Sequence, residues 1–210
     1  MTDTKLPAGL AGIVAGETAI STVGKAGLAL TYRGYDVRDL AAHASFEEVA
    51  HLLIYGWLPN ALELARYQQH LTQMRGLPNA LKTVLETIPG ATDPMDVLRS
   101  GCSMLGTLEP EGRFIDQHHI ADRLIAAFPS MLLYWYHFHT HGVRIETTTD
   151  ETTLAGHFLH LLHRRKPLTL PSEALNVSLI VYAEHEFNAS TFAARVTMST
   201  RSDIYSAVTS

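Results

Sequence analysis

The segment YAEHEFNAST, residues 182–191, carries the residue types best suited to binding a small ligand. His185 stands between Glu184 and Glu186, where the preceding apolar helical pattern ends, and Asn188 follows closely. An imidazole near a helix C-terminus is favoured as a cation, and an asparagine after it can cap the next helix while offering donors to a ligand. The segment predicts a polar pocket between two helices that favours an anionic ligand, with an ordinary helix–turn–helix link as the alternative.

Two histidine-rich stretches are candidates for metal binding. HFHTH has histidines at 137, 139 and 141, and helical residues two apart point about 200° apart, too far to share one ion. HFLHLLH has histidines at 157, 160 and 163, and at this spacing two of them can share a ligand. No cysteine lies nearby to complete a typical zinc set. We expect structural histidines and no metal, with a generic α-helical binding domain carrying a metal site as the weaker alternative.

The composition excludes several other classes of function. Lysine and arginine number 16 against 21 acidic residues, a net charge of −5, which argues against nucleic acid as a partner. The single cysteine, Cys102, has no CxxC partner and fits a core position in a protein of a reducing compartment. Residues 1–10 lack the apolar centre of a secretory signal, and no stretch of about 18 apolar residues would span a membrane. We expect a cytoplasmic protein that binds neither nucleic acid nor membrane.

The sequence divides into a β-prone N-terminal region and a longer helical region. Residues 1–35 contain short β-prone runs at 12–15, 19–23 and 28–32, separated by glycine turns. The glycines lack the spacing of phosphate-binding loops. Residues 36–210 contain helix start and stop signals throughout. The predicted fold is all-α, with about ten helices after a short β-hairpin-like N-terminal segment.

The helix boundaries rest on caps and breakers. Ser45 with Glu48 forms a capping box, Gly56 suits the end of that helix, and Asp93 caps a helix with Pro94 at its first position. The predicted helices cover residues 45–56, 60–75, 79–88, 93–105, 118–139, 150–163, 171–184, 191–199 and 203–209, with a loop at 106–116. Residues 118–139 are apolar on several faces, which indicates either a deeply buried helix or one in a subunit interface.

Three blocks of sequence resemble the citrate synthase family. HEFNAST at 185–191 is similar to the family signature H-E-x-N-A-S-T. Residues 22–59, TVGKAGLALTYRGYDVRDLAAHASFEEVAHLLIYGWLP, resemble the opening block of the family, with its Y-R-G-Y turn. LLYWYHFHTHGVRI, together with GHFLHLLH, resembles the 2-methylcitrate synthase branch. The resemblance covers nearly the whole chain.

The resemblance implies the helices of a citrate synthase-like large domain in a two-domain homodimer. It implies an acyltransferase that joins the α-carbon of propionyl-CoA, or of acetyl-CoA, to oxaloacetate and releases CoA. Acyl-CoA is then a substrate, and no cofactor is expected. The signature histidine of the family binds oxaloacetate, which implies that role for His185, with Asn188 beside it. Arg33 of the Y-R-G turn serves either the site or only the fold.

The sequence lacks a match to the later motifs of the family. The carboxylate base and the two histidines of the reaction come from later family motifs, which have no counterpart up to Ser210. We therefore expect no catalytic residue in this chain, an inactive 210-residue protein with poor solubility, and the small domain and C-terminal helices to be absent. The alternative is a non-catalytic truncated product that retains only dimerisation helices.

Overall fold

The computed structural model describes residues 16–23, 29–112 and 116–210. In these residues a small sheet precedes ten helices. The strands are β1 (Ser21–Thr22), β2 (Thr31–Tyr32) and β3 (Tyr35–Asp36); the helices are α1 (Val37–His43), α2 (Phe46–Tyr55), α3 (Ala61–Gln73), α4 (Asn79–Thr87), α5 (Pro94–Leu108), α6 (Gln117–His141), α7 (Leu154–His163), α8 (Thr169–Val181), α9 (Ala189–Ser199) and α10 (Ile204–Thr209). The predicted all-α fold with a short N-terminal β segment is confirmed.

The sheet is antiparallel, with the strands in the order β1-β2-β3. Ser21 lies opposite Tyr32, and Thr31 lies opposite Asp36. The predicted strands at 19–23 and 28–32 are therefore confirmed in part, as two-residue strands. The predicted strand at 12–15 lies outside the described residues.

The predicted helix caps are confirmed. Ser45 and Glu48 form a reciprocal capping box at the start of α2, and Gly56 ends that helix in the left-handed conformation, with φ of 103°. Asp93 accepts a hydrogen bond from the backbone of Met95 at the start of α5. Each of these contacts satisfies a backbone group that the helix end leaves without a partner.

The predicted loop at 106–116 is wrong in its first part, because α5 continues to Leu108. Gly106 is a packing position here, not a helix breaker. A Cβ atom added at Gly106 would lie 2.7 Å from Cγ of Tyr205 on α10. The glycine allows α10 to approach α5 closely, which is a contact that local sequence patterns do not show.

Two other predicted helix starts also shift. α8 begins at Thr169, two residues before its prolyl residue at 171, as first-turn proline permits. α7 begins at Leu154, not at 150, with Thr153 as its cap. The preceding loop folds around Arg75, whose side chain is 1% exposed. The guanidinium donates to the carbonyl oxygens of Thr149 and Thr153, both at 3.3 Å. These hydrogen bonds to an arginine distant in sequence hold the loop residues out of the helix.

α6 is the centre of the main core. It packs against α3, α4, α5, α7 and α10, and its buried side chains include Ile120, Met131 and Trp135. The deep burial predicted as one alternative for residues 118–139 is therefore confirmed, and the subunit interface stays a prediction. α6 continues unbroken through Pro129.

A buried carboxylate ties α6 to α2 and α3. Asp122 is fully buried, and its oxygens accept hydrogen bonds from Tyr55 at 2.5 Å and from Tyr67 at 2.7 Å. Burial, together with the charge and hydrogen bond of Asp122, raises the pKa of both tyrosines. The three side chains form one satisfied polar group inside an apolar layer.

Among the helices of the described residues, none has both the length and the apolar character required to cross a bilayer.

Candidate functional site

His185 lies in the short segment 182–188 that joins α8 to α9, and its side chain is exposed. α8 ends at Val181, and α9 begins at Ala189. The predicted position of the histidine after one helix and before the next is therefore confirmed. The exposed imidazole is free to approach a ligand at this end of the two helices.

The neighbours of His185 are held by β1. The Ser21 hydroxyl donates to Oε1 of Glu184 at 3.1 Å and accepts the backbone N–H of Glu186 at 3.1 Å. The backbone N–H of Val23 donates to Oε1 of Glu186 at 2.7 Å. Both acidic side chains beside the histidine are therefore engaged in attaching their own segment to the sheet.

β2 holds the same segment through Tyr32, which has 0% exposure. Its hydroxyl lies 2.9 Å from the carbonyl oxygen of Ile180 and accepts the N–H of Glu184 at 3.3 Å. Burial raises the pKa of this tyrosine, so its hydroxyl stays protonated and can donate to the end of α8. Sequence patterns did not indicate Ser21 or Tyr32, because their partners are more than a hundred positions away.

Asn188 is the N-cap of α9. Its side-chain oxygen accepts the backbone N–H of Thr191 at 2.8 Å. The cap was predicted, and it is confirmed. The oxygen is thereby occupied in starting the helix, while the exposed side chain keeps its amide N–H groups for other contacts. The role of Asn188 toward a substrate stays a prediction.

Arg33 is attached to α2. Its backbone N–H donates to the carbonyl oxygen of Ile20 at 2.7 Å, and its Nη2 donates to the carbonyl oxygen of Leu53 at 2.9 Å. Its φ of 46° is left-handed, which suits the turn between β2 and β3. These contacts give Arg33 a part in the fold, and its role toward a substrate stays a prediction.

A cleft of about 480 Å³ opens beside the start of α9. It lies between α5, α9 and α10, and its lining includes Ser190, Thr191, Arg99 and Cys102. The cysteine is 1% exposed, and burial raises its pKa to about 11. The prediction of a core cysteine is confirmed, since such a thiol is not a reactive thiolate.

The histidines of the first stretch make structural contacts. Nε2 of His137 lies 2.9 Å from the carbonyl oxygen of Leu161, and Nε2 of His139 lies 3.3 Å from that of Leu85. The two rings therefore reach α7 and α4 respectively. Their divergence agrees with the helical geometry from which separate positions were predicted.

The second stretch contains a buried histidine, His157, and it contributes another histidine, His160, to a group with metal-binding geometry. His157 is fully buried between Ser130 Oγ and Thr149 Oγ1, and burial lowers its pKa to about 3. Ligand atoms of Asp150, Glu151 and His160 lie within 4.8 Å of one another. Nδ1 of His160 is 3.1 Å from Oε1 of Glu151, so a hydrogen bond between these two side chains accounts for their proximity.

Comparison with known proteins identifies the class to which this arrangement belongs. Residues 9–210 match the family described as citrate synthase, C-terminal domain, and the chain belongs to that family. It is 61% identical over 202 residues to the 2-methylcitrate synthase of Shewanella oneidensis, covering 96% of this chain and 54% of that protein. It is 43% identical to the 2-methylcitrate synthase of Mycobacterium tuberculosis, covering 96% of this chain and 51% of that protein.

Solved structures agree with the sequence comparison. Citrate synthase of Thermoplasma acidophilum matches in fold at a TM-score of 0.84 with 26% identity, over 94% of this chain and 52% of that one.

 That structure is a ternary complex in which the enzyme holds carboxymethyl coenzyme A together with oxaloacetate. Citrate synthase of Thermotoga maritima matches at a TM-score of 0.82 with 29% identity, over 96% of this chain and 53% of that one. The chain thus spans about half the length of the relatives that it matches.

Proposed function

We propose that this chain supplies the oxaloacetate-binding histidine of a condensing acyltransferase of the 2-methylcitrate synthase type. The observation that carries the proposal is the exposed imidazole of His185, in a segment fixed from both sides by Ser21 and Tyr32. The 61% identity to a 2-methylcitrate synthase supports the reaction class. Propionyl-CoA is the proposed acyl donor, with acetyl-CoA as a second donor.

In the proposed reaction a base removes a proton from the α-carbon of the acyl-CoA. The resulting enolate attacks the ketone carbon of oxaloacetate, whose oxygen gains a proton, and water then cleaves the thioester and releases CoA. His185 would donate an N–H to oxaloacetate, holding the anion and its ketone in a fixed orientation. Positioning of this kind accounts for a large part of the rate of a two-substrate reaction.

We propose that no side chain of this segment acts as the base. Glu184 and Glu186 are the carboxylates next to His185, and Oε1 of each already accepts a hydrogen bond from β1 or its end. A general base must be free to reach the substrate proton. The 210-residue chain alone is therefore proposed to bind oxaloacetate without turning it over.

Homodimer formation is also a proposal, and it rests on apolar side chains outside α6. Leu168 and Leu170 are each 75% exposed, and Tyr182 is 91% exposed. Exposed apolar residues of this size favour contact with another protein surface. Sedimentation over a range of concentrations tests the proposal: a mass of two chains supports it, and a single-chain mass at every concentration contradicts it.

A chimera tests the catalytic proposal directly. This chain would replace the matched region of the Shewanella oneidensis relative, and CoA release would be measured with oxaloacetate and either propionyl-CoA or acetyl-CoA. We expect an active chimera, with faster release from propionyl-CoA. His185→Ala should lower kcat/KM by about 10²–10³-fold, the effect of removing one well-placed donor, whereas His163→Ala should leave it unchanged. A folded chimera without activity, or full activity in His185→Ala, contradicts the proposal.

A further inference from the structure

Two hydroxyl groups of the N-terminal sheet converge on the backbone around His185. Ser21 and Tyr32 are directly opposite each other in the β1-β2 pair. Residues opposite each other in an antiparallel pair project from the same face. The Ser21 hydroxyl reaches Glu184 and Glu186, and the Tyr32 hydroxyl reaches the end of α8 and Glu184. One face of the three-stranded sheet therefore contacts the segment that carries His185.

The contacts fix both neighbours of His185. Ser21 Oγ is 3.1 Å from the Glu184 carboxylate and 3.1 Å from the backbone nitrogen of Glu186. One hydroxyl therefore bridges the residues on either side of the histidine. With both flanking residues held, the direction of the Cα–Cβ bond of His185 is fixed, and only its side-chain torsions remain free.

The backbone at Glu186 makes this support necessary. Its φ of 53° is in the left-handed region, which is unfavourable for a residue with a Cβ atom. Such a conformation persists where surrounding contacts hold it. The bonds from Val23 and Ser21 do so here, at 2.7 Å and 3.1 Å.

Tyr32 fixes the other end of the segment. Its hydroxyl lies 2.9 Å from the carbonyl oxygen of Ile180 and 3.1 Å from that of Val181. These carbonyls belong to the last turn of α8, where the helix leaves acceptors without partners. The tyrosine therefore sets where α8 ends and where the segment carrying His185 begins.

We infer that Ser21 and Tyr32 are positioning residues that orient His185 toward oxaloacetate by holding the backbone at 180–186. The inference rests on the proposed function for the identity of the ligand, and on the hydrogen bonds alone for the positioning. It assigns the N-terminal sheet a part in substrate binding through the backbone that it holds.

The test combines a structural readout with a binding readout. The variants are Ser21→Ala, Ser21→Thr and Tyr32→Phe, with Thr22→Ala as the control, since Thr22 is the next residue on β1 and projects from the opposite face. The imidazole signal of His185 would be followed by NMR of histidine-labelled protein. Oxaloacetate binding would be followed by calorimetry on the same samples, and thermal unfolding would show that each variant is folded.

We expect Ser21→Ala and Tyr32→Phe to shift or broaden the His185 signal and to weaken oxaloacetate binding by about three- to tenfold, the effect of losing one net hydrogen bond. Ser21→Thr keeps a hydroxyl group, so both readouts should match those of the parent chain, and Thr22→Ala should change neither. In a His185→Ala background, Ser21→Ala should cause no further loss of binding. An unchanged His185 signal in folded Ser21→Ala and Tyr32→Phe overturns the inference, as does an equal loss of binding in the His185→Ala background.

The two proposals can fail separately. If the parent chain does not bind oxaloacetate, or if His185→Ala binds it as well as the parent does, the proposed function fails. The NMR comparison then still decides the positioning, because it requires no ligand.

Discussion

The hydroxyl of Tyr32 lies 2.9 Å from the carbonyl oxygen of Ile180, a residue 148 positions further along the chain. A strand residue near the start of the sequence thus contacts the last turn of α8. The place where this helix ends determines where the segment with His185 begins. The candidate site is therefore built from both ends of the chain.

Loss of the Tyr67 hydroxyl should destabilise the fold. This hydroxyl donates to the fully buried carboxylate of Asp122 at 2.7 Å, and a hydrogen bond to a charged group contributes about 1.5–3 kcal/mol. We expect Tyr67→Phe to lower the free energy of unfolding in urea by that amount. Tyr35→Phe is the control, since Tyr35 is 46% exposed. Equal stability of the two variants would show that the buried bond is not a net contribution.

Acidification should destabilise the protein through His157. Burial lowers its pKa to about 3 in the folded state, against about 6.5 in an unfolded chain. Between these pH values the unfolded state binds a proton at His157 that the folded state excludes. The contribution of neutral His157 to the free energy of unfolding is therefore fully present above the unfolded pKa and is lost as the pH falls. The expected slope is about 1.4 kcal/mol per pH unit within this window.

Urea unfolding between about pH 7 and pH 4 measures this slope. His157→Asn should reduce the slope, and the exposed His163→Asn should keep it. The nearby Glu47 has a pKa raised by burial, and it acts in the opposite direction in all three proteins. The difference between the slopes therefore isolates His157, and parallel curves would contradict the assignment.

An added methyl group at Gly106 should destabilise the contact between α5 and α10. The new Cβ would lie 2.7 Å from Cγ of Tyr205, and overpacking of this kind costs about 1–3 kcal/mol. Gly76→Ala, in the coil between α3 and α4, is the control for a methyl group with room around it, because the nearest atom to its Cβ would be 3.8 Å away on Thr148. Alanine is otherwise favoured over glycine inside a helix, so a gain in stability for Gly106→Ala would contradict the close approach.

Metal ions should have no effect on stability. The group formed by Asp150, Glu151 and His160 has suitable spacing, but His160 and Glu151 are paired with each other at 3.1 Å. Arg75 donates to the carbonyl oxygen of Glu151, which brings a positive charge close to any bound cation. We expect zinc or a chelator to change the unfolding temperature by less than about 2 °C, which corresponds to about 1 kcal/mol or less. A saturable increase that His160→Ala abolishes would reveal a metal site.

The sequence predicts the parts of this molecule that depend on local contacts. The capping box of Ser45 and Glu48, the left-handed Gly56 and the Asn188 cap involve residues within a few positions of each other. A short stretch of sequence is enough to show these helix caps and helix ends. The location of His185 after one helix and before another follows from the same local signals.

Long-range contacts explain what the sequence did not predict. Local signals predict a loop from Gly106 onward, because the partner of this glycine, Tyr205, belongs to a distant helix. Local signals predict residues 150–153 as part of α7, because they do not show that Arg75 binds the carbonyl oxygens of Glu151 and Thr153. The contact of Ser21 with the backbone beside His185 also joins distant parts of the sequence, and local signals do not predict it.

The central claim is that His185 binds oxaloacetate, and calorimetric titration of the chain with oxaloacetate tests it most directly. The protein, His185→Ala and the exposed control His163→Ala would be titrated after thermal unfolding has shown that all three are folded. We predict saturable binding by the parent and by His163→Ala, and a loss of at least about tenfold in affinity for His185→Ala. Equal affinity in all three proteins, or no binding by any of them, would contradict the claim.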